Sequence, residues 1–185
     1  QKGAGVCSSQ DRLAFTPTVR EILEVAVPHL RNAPRAMISF GQGCEGEPLL
    51  KSGLIEKAVR SIRRETDRGT IHINTNASDP AALGRLFAAG MDSVRASLFS
   101  ARQAFYDAYH RPKNYTFGDV TESLGIARAA GVWISLNCLV LPGFTDGPEE
   151  TEALIALVRK YRVDMIQTRN LNMDPDWMLE ILGGY

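Results

Sequence analysis

The chain has 185 residues and a balanced charge, with 21 Lys and Arg residues against 21 Asp and Glu residues. This balance indicates neither a nucleic-acid-binding face nor a membrane-surface patch, and no apolar run approaches the roughly 20 residues of a membrane span. Hydrophobic residues make up 44% of the chain, enough for one domain with a proper core. We expect residues 1–15 to form a loop or flexible lead-in and residues 16–185 to form the folded unit.

The three cysteines, Cys7, Cys44 and Cys138, are widely spaced and odd in number. They fit neither a disulfide framework nor a compact metal motif, and the default interpretation is a reduced, cytoplasmic compartment. Taken singly, each is typical of a buried small hydrophobe or a loop thiol.

Helical and strand patterns alternate along the chain from residue 16 onward. Thr16 is the predicted N-cap of the first helix, with Pro17 in its first turn. Later helices are predicted over about 53–66, 80–89, 101–111, 117–130, 147–161 and 175–182. The strand-like segments are 36–40, 70–76, 92–98, 132–140 and 163–170.

Alternating strands and helices predict an α/β fold in which parallel strands are joined by right-handed crossovers. Five such units are too few for a closed eight-stranded barrel of roughly 250 residues. A partial barrel and a doubly wound sheet both remain compatible with this pattern.

Each predicted strand carries apolar residues on one face and polar residues on the other, because successive side chains point to opposite faces. The polar set is Ser39; His72, Asn74 and Asn76; Ser93, Arg95 and Ser97; Ser135 and Asn137; Gln167 and Arg169. A filled barrel and a doubly wound sheet would both be apolar at these positions. The pattern therefore favours a polar lumen that holds a polar ligand, and the alternative is an internal hydrogen-bond network without a ligand.

Several barrel chemistries lack the residues that they need. All lysines fall on predicted loops or helices, which argues against a Schiff-base aldolase, and the three histidines are too scattered for a multi-histidine metal cage. The segment "GQGCEGEP" at 41–48 contains a G-x-G but not the full dinucleotide-binding pattern.

Six segments, taken in order, resemble the radical S-adenosylmethionine (radical SAM) superfamily: "ISFGQGCEGEPLL", "HINTNAS", "MDSVRASLFS", "YDAYHRPKNYTFGDV", "AAGVWISLNCLVLPGFTD" and "MIQTRNLNMDP". The resemblance covers roughly residues 16–175. It implies a partial (β/α)6 TIM-like barrel that holds S-adenosylmethionine and a [4Fe-4S] cluster at its open top. It also implies reductive cleavage of S-adenosylmethionine, hydrogen abstraction from a substrate, and an electron donor such as a flavodoxin or ferredoxin.

The resemblance further implies roles for individual residues. The "EGEP" segment is similar to the family's Gly-Gly-Glu-Pro segment, so Gly46 and Glu47 are expected at the amino group of S-adenosylmethionine, with Glu45 in place of the first glycine. Arg95 suits a carboxylate through its bidentate fork. The other expected cofactor contacts are Asn74, Asn76, Ser97, Asn137 and Gln167, and the expected substrate contacts are His72, Arg169 and Asn170.

The family's three cluster cysteines, spaced C-x3-C-x2-C after the first barrel strand, have no counterpart in this chain. Cys7 cannot replace them, because a [4Fe-4S] cluster needs three protein thiolates even when S-adenosylmethionine occupies the fourth iron. We therefore expect a single radical SAM core fragment without the first strand and the cluster loop. Such a fragment would bind no cofactor and be inactive by itself, whereas the intact protein would be an enzyme.

Without that first strand, the segment 36–40 would have an unpaired edge. This predicts a homodimer through Met37–Phe40 or cover by residues 1–15.

Two alternative functions remain. One is a non-redox barrel-type ligand-binding or lyase domain with Glu45 or Glu47 as its acid or base, and the other is a non-catalytic scaffold of the same fold. The sequence does not distinguish a peptide, protein or small-molecule substrate.

Overall fold

The computed structural model describes residues 14–41, 46–171 and 173–183, and every structural statement below refers to those residues. They form one sheet of five parallel strands in the order β1-β2-β3-β4-β5. The strands are β1 Met37–Phe40, β2 Thr70–Thr75, β3 Ser93–Leu98, β4 Trp133–Val140 and β5 Met165–Asn170. The predicted α/β class is confirmed, and each strand lies within two residues of its predicted bounds.

The strand order identifies the sheet as a partial barrel. Strands that follow each other both in sequence and in space, with crossovers of one hand, place their helices on one side of the sheet. A doubly wound sheet would require a reversal of strand order, and the described sheet has none.

Seven α-helices and one 3₁₀ helix are described, of which α1 precedes the first strand, α7 follows the last and the others connect the strands. The α-helices are α1 Val19–Asn32, α2 Ser52–Glu65, α3 Pro80–Ala88, α4 Gln103–His110, α5 Phe117–Ala129, α6 Pro148–Tyr161 and α7 Pro175–Ile181; the 3₁₀ helix is Pro48–Lys51. None of the helices in the described part of the chain is both long and apolar enough to cross a membrane.

The predicted N-cap of the first helix is wrong by two residues. Thr18, not Thr16, caps α1, because its hydroxyl accepts from the Glu21 amide while the Glu21 carboxylate accepts from the Thr18 amide. This reciprocal capping box satisfies two backbone donors at once, which a cap at Thr16 would not do.

The main core lies between the sheet and the helices. Ile71, Ile73, Val94, Ile134 and Leu136 are buried on one face of the sheet, and they belong to the same cluster as residues of α1, α2, α3, α5 and α6. We call this the helix face and its opposite the open face.

A second apolar cluster, the apolar cap, lies at the carboxyl end of the sheet. Phe99, Phe144, Met178 and Leu182 form its buried part, and Leu139 of β4 packs against it. Leu139 follows Asn137 by two residues, so it extends from the open face. The cap therefore covers an apolar end of a face that is otherwise polar.

The outer strand β1 pairs with β2, and no other strand in the described part of the chain pairs with its second edge. The Ala36 carbonyl accepts from the Thr70 amide, so the alternate residue Met37 directs its backbone groups away from β2. The ring Nε2 of His29 lies 3.2 Å from the Met37 carbonyl oxygen, so α1 engages one of those groups. Pairing of two copies through this edge stays a prediction.

Candidate functional site

The open face carries three rows of polar side chains, each formed by residues that are in register on neighbouring strands. The first row is Ser39, His72 and Ser93; the second is Asn74, Arg95 and Ser135; the third is Ser97, Asn137 and Gln167. Together with the apolar helix face, these rows match the alternation expected from the sequence.

In the first row, the central residue His72 has its hydrogen-bonding groups satisfied by other protein side chains. The two ring nitrogens of the buried His72 lie 2.7 Å from Ser93 Oγ and 3.2 Å from Asn74 Oδ1. Because the oxygen of the Asn74 amide faces Nε2, that nitrogen carries the proton and Nδ1 accepts from Ser93. Burial lowers the pKa of His72, the bond to Asn74 opposes this, and the nearby charge of Arg95 adds to it. The predicted substrate contact His72 thus has both nitrogens engaged by the protein.

The second row is partly closed. Asn74 Nδ2 donates to Ser39 Oγ at 2.9 Å, so both ends of this amide have partners. Arg95 Nε donates to Ser135 Oγ at 3.4 Å, and Ser135 donates onward to the Val94 carbonyl at 3.2 Å. This bond uses one of the five N–H donors of the guanidinium, which is only partly buried.

The third row contains acceptors without partners. Asn137 Oδ1 and Gln167 Oε1 are both inaccessible to solvent, and neither has a hydrogen-bond partner among the described residues. Since Asn137 and Gln167 are directly in register, the two amide side chains are neighbours on one face. Buried acceptors of this kind cost free energy unless a donor meets them.

The "GEP" segment meets the carboxyl end of β2 through Glu47. Its carboxylate accepts from the Thr75 hydroxyl at 2.5 Å, from the Asn76 amide at 2.8 Å and from the Leu49 amide at 3.0 Å. Gly46 has a φ of 82°, a left-handed conformation that glycine adopts without strain. Glu45 lies outside the described residues.

Gly41, at the end of β1, allows a close approach of two strands. Its φ is 82°, and an added Cβ would clash with the carbonyl oxygen of Asn74. A side chain at position 41 would therefore separate β1 from β2 near the predicted ligand contacts.

The last predicted contacts lie on β5. Arg169 shares the open face with Gln167 and is exposed, while Asn170 lies on the opposite face by strand alternation. The structure therefore does not place Asn170 beside the other predicted site residues.

The described residues do not fit an iron–sulfur cluster. Cys138 is buried on the helix face, and burial raises the pKa of its thiol to about 11. In the described ranges, no three or more His, Cys, Asp and Glu side chains are grouped to hold a metal ion. Cys7 and Cys44 lie outside those ranges.

Sequence reasoning missed two contributors to the site. Thr75 was not named among the site residues, yet its hydroxyl donates to Glu47 and also accepts from the Ala77 amide at 3.0 Å. The apolar cap was also missed, although the aromatic residues of "LFSARQAFYDAY" and the "LPGF" turn are a signal that could have indicated it.

Comparison with known proteins places these features in a family. The family model "Radical SAM superfamily" matches residues 7–157, which is more than half of the chain. No curated protein sequence matches the chain significantly.

Solved structures share the fold at low sequence identity. Streptococcus suis SuiB has a TM-score of 0.62 and 12% identity over 87% of this chain and 35% of its own. Methylornithine synthase (PylB) has a TM-score of 0.63 and 17% identity, and the match covers 84% of this chain and 44% of PylB. A third neighbour is the radical S-adenosylmethionine methyltransferase TsrM of Kitasatospora setae, solved with cobalamin and a [4Fe-4S] cluster. It has a TM-score of 0.60 and 16% identity, and the match covers 82% of this chain and 30% of TsrM.

The chain thus spans less than half the length of these neighbours. The family-model match extends across α1 to α6, and the sheet has the architecture of the neighbours' barrels. The chain belongs to the radical SAM superfamily.

Proposed function

We propose that the open face of this sheet binds S-adenosylmethionine and that the chain is the core of an enzyme that uses this cofactor to abstract hydrogen from a substrate. The observation that carries the proposal is the pair of buried, unpartnered oxygens of Asn137 and Gln167. The ribose hydroxyls and the adenine amino group of S-adenosylmethionine are donors that would complement these acceptors.

Further residues complement the other end of the cofactor. The unused donors of Arg95 suit its carboxylate, and backbone carbonyls around Gly46 suit its ammonium group. Ser97 stands in the same row as Asn137 and Gln167. The first row, whose hydrogen bonds are already closed within the protein, would support these residues from below.

The described residues hold and orient a ligand, while the redox chemistry would come from the cofactors. S-adenosylmethionine bound beside a [4Fe-4S] cluster would supply the hydrogen-abstraction chemistry. No group of the described residues fits that cluster. The apolar cap would exclude water at the carboxyl end of β4.

The reaction class of the neighbours does not select a substrate. PylB is a methylornithine synthase and TsrM is a methyltransferase, so one barrel supports different outcomes. We propose a cytoplasmic location and a flavodoxin- or ferredoxin-type electron donor, with the substrate left as a peptide, a protein or a small molecule.

Calorimetric titration of the purified chain with S-adenosylmethionine tests the proposal, and measurable binding would overturn the expectation, drawn from the missing cysteines, that this chain binds no cofactor by itself. Arg95→Ala should weaken binding about tenfold or more, because a hydrogen bond to a charged group contributes roughly 1.5–3 kcal/mol. Arg159→Ala, which changes an exposed arginine of α6, is the matched control and should bind as the original chain does. Equal affinity of the Arg95 variant and the original chain would contradict the proposal that the open face binds S-adenosylmethionine.

A further inference from the structure

The carboxylate of Glu47 bridges two segments that are distant in sequence. It lies next to Pro48, where it caps the 3₁₀ helix through the Leu49 amide, and its other contacts are with Thr75 and Asn76 at the end of β2. Both oxygens are used: Oε1 accepts from Leu49 and Thr75, and Oε2 accepts from Asn76. We call this set of contacts the Glu47 bridge.

The segment that the bridge holds has an unfavourable backbone conformation. Ala77 has a φ of 56°, in the left-handed region that a residue with a Cβ rarely adopts. Its amide donates to the Thr75 hydroxyl, and its carbonyl accepts from the buried Ser123 hydroxyl at 2.8 Å. Thr75 therefore connects Glu47 to the strained residue, and the surrounding bonds keep the turn in place.

The turn determines where the side chain of Asn76 points. Asn76 Oδ1 accepts from the Ser78 amide at 3.0 Å, and the Asn76 amide donates to Glu47. No hydrogen bond from Asn76 Nδ2 to another described residue is present, so its two N–H donors are the groups of this side chain that can meet a ligand. A change at Glu47 would release this turn and reorient the Nδ2 group.

We propose that Glu47 is a positioning residue, which acts on the ligand through Thr75 and Asn76 and does not contact the ligand itself. Three protein donors already occupy the carboxylate, so a ligand ammonium is expected to find its acceptors elsewhere. The identity of the ligand rests on the function proposed above, whereas the bridge itself is a property of the protein.

Two measurements on the purified chain test the bridge. The first is hydrogen exchange at the amides of Asn76 and Ala77, with no ligand present. Glu47→Gln keeps only one of the two carboxylate oxygens, so it cannot accept from Thr75, Leu49 and Asn76 together as the carboxylate does, and Thr75→Val removes the bridging hydroxyl. Both variants should speed exchange at these amides about tenfold or more, and Thr75→Ser, which keeps the hydroxyl, should exchange as the original chain does. Unchanged exchange in both variants would overturn the bridge.

The second measurement compares the affinities for S-adenosylmethionine and for 5′-methylthioadenosine, which lacks the amino-acid group. A positioning role predicts that Glu47→Gln and Thr75→Val weaken both compounds about tenfold. It also predicts that the double variant is no weaker than the poorer single variant, because both changes break one bridge. Asp92→Asn, at the other end of the sheet, controls for general destabilisation and should leave both affinities unchanged.

Direct contact between Glu47 and the ligand ammonium predicts a different result. Glu47→Gln would then weaken only S-adenosylmethionine, and Thr75→Val would affect neither compound; this outcome would overturn the proposal. If the original chain bound neither compound, the proposed function would fail, and the exchange measurement would still decide whether the bridge exists.

Discussion

The two ends of the sheet use the same kinds of polar residue in opposite ways. At the amino end, Asp92 precedes β3 and accepts from the Ile71 amide of β2 at 2.6 Å and from Arg63 of α2. At the carboxyl end, Asn137 and Gln167 present oxygens that meet no donor among the described residues. The polar groups at the amino end are bonded to each other, whereas these oxygens at the carboxyl end remain available to a ligand.

The closed arrangement at the amino end occurs twice. Asp164 precedes β5, accepts from the Ile134 amide of β4 at 2.7 Å and pairs with Arg128 of α5 at 3.0 Å. The backbone amide of each aspartate also donates to the carbonyl of the same strand residue, Asp92 to Ile71 and Asp164 to Ile134. Each copy therefore joins two strands to the end of a helix.

The groups that stabilise the sheet and the groups available to a ligand are therefore separated along the strand axis. Polar groups at the amino end stabilise the sheet, whereas those in the third row of the open face reduce its stability while no donor meets them. In barrels of this kind, ligands bind at the carboxyl end, and the amino end serves stability.

The largest effect on the free energy of unfolding should come from removing an aspartate at the amino end of the sheet. Asp164→Ala removes the acceptor of the Ile134 amide and leaves Arg128 without its ion pair, which should lower the free energy of unfolding by about 2–3 kcal/mol. Urea denaturation measures this change. Affinity for S-adenosylmethionine should stay the same, and a loss of affinity in the folded variant would contradict the separation of the two ends.

The pH dependence of stability should reveal a buried group at the carboxyl end. His110, the last residue of α4, is half-buried, with its ring Nε2 inaccessible to solvent, and burial lowers its pKa to about 4 from an ordinary value of 6.5. Between these values the unfolded chain binds the proton and the folded chain does not, so the free energy of unfolding falls as the pH is lowered from 6.5 to 4. The expected loss is about 1–3 kcal/mol.

Urea denaturation across that pH range, for the original chain and for His110→Asn, measures this contribution. The variant should lose part of the slope, while some slope remains because burial also lowers the pKa of His72. Gln103→Asn, at an exposed position on α4 and without a titratable side chain, is the control and should keep the slope. An identical slope in the His110 variant would show that this residue does not titrate as described.

The smallest expected effect on stability has the opposite sign. Asn137→Leu replaces an amide with an unpartnered oxygen by an apolar side chain of similar size, which should raise the free energy of unfolding by about 1 kcal/mol. The same change should weaken S-adenosylmethionine binding about tenfold, as measured by calorimetry. A variant that is less stable than the original chain would mean that the third row is satisfied within the protein.

Much of the fold could be predicted from the sequence because its signals are local. Apolar alternation predicted all five strands, and the alternation from strand to helix predicted the parallel sheet. The N-cap of α1 was placed wrongly, since Thr16 and Thr18 both precede a helical run and only the reciprocal bond with Glu21 distinguishes them.

The sequence by itself determined which residues share the open face, because strand alternation needs no knowledge of the partner strand. Only the tertiary structure decided which of those polar groups are already bonded. His72 and Asn74 find partners on neighbouring strands, whereas the oxygens of Asn137 and Gln167 meet no donor within the described ranges. Register and side-chain reach across strands decide this, and they depend on contacts between residues that are far apart in the chain.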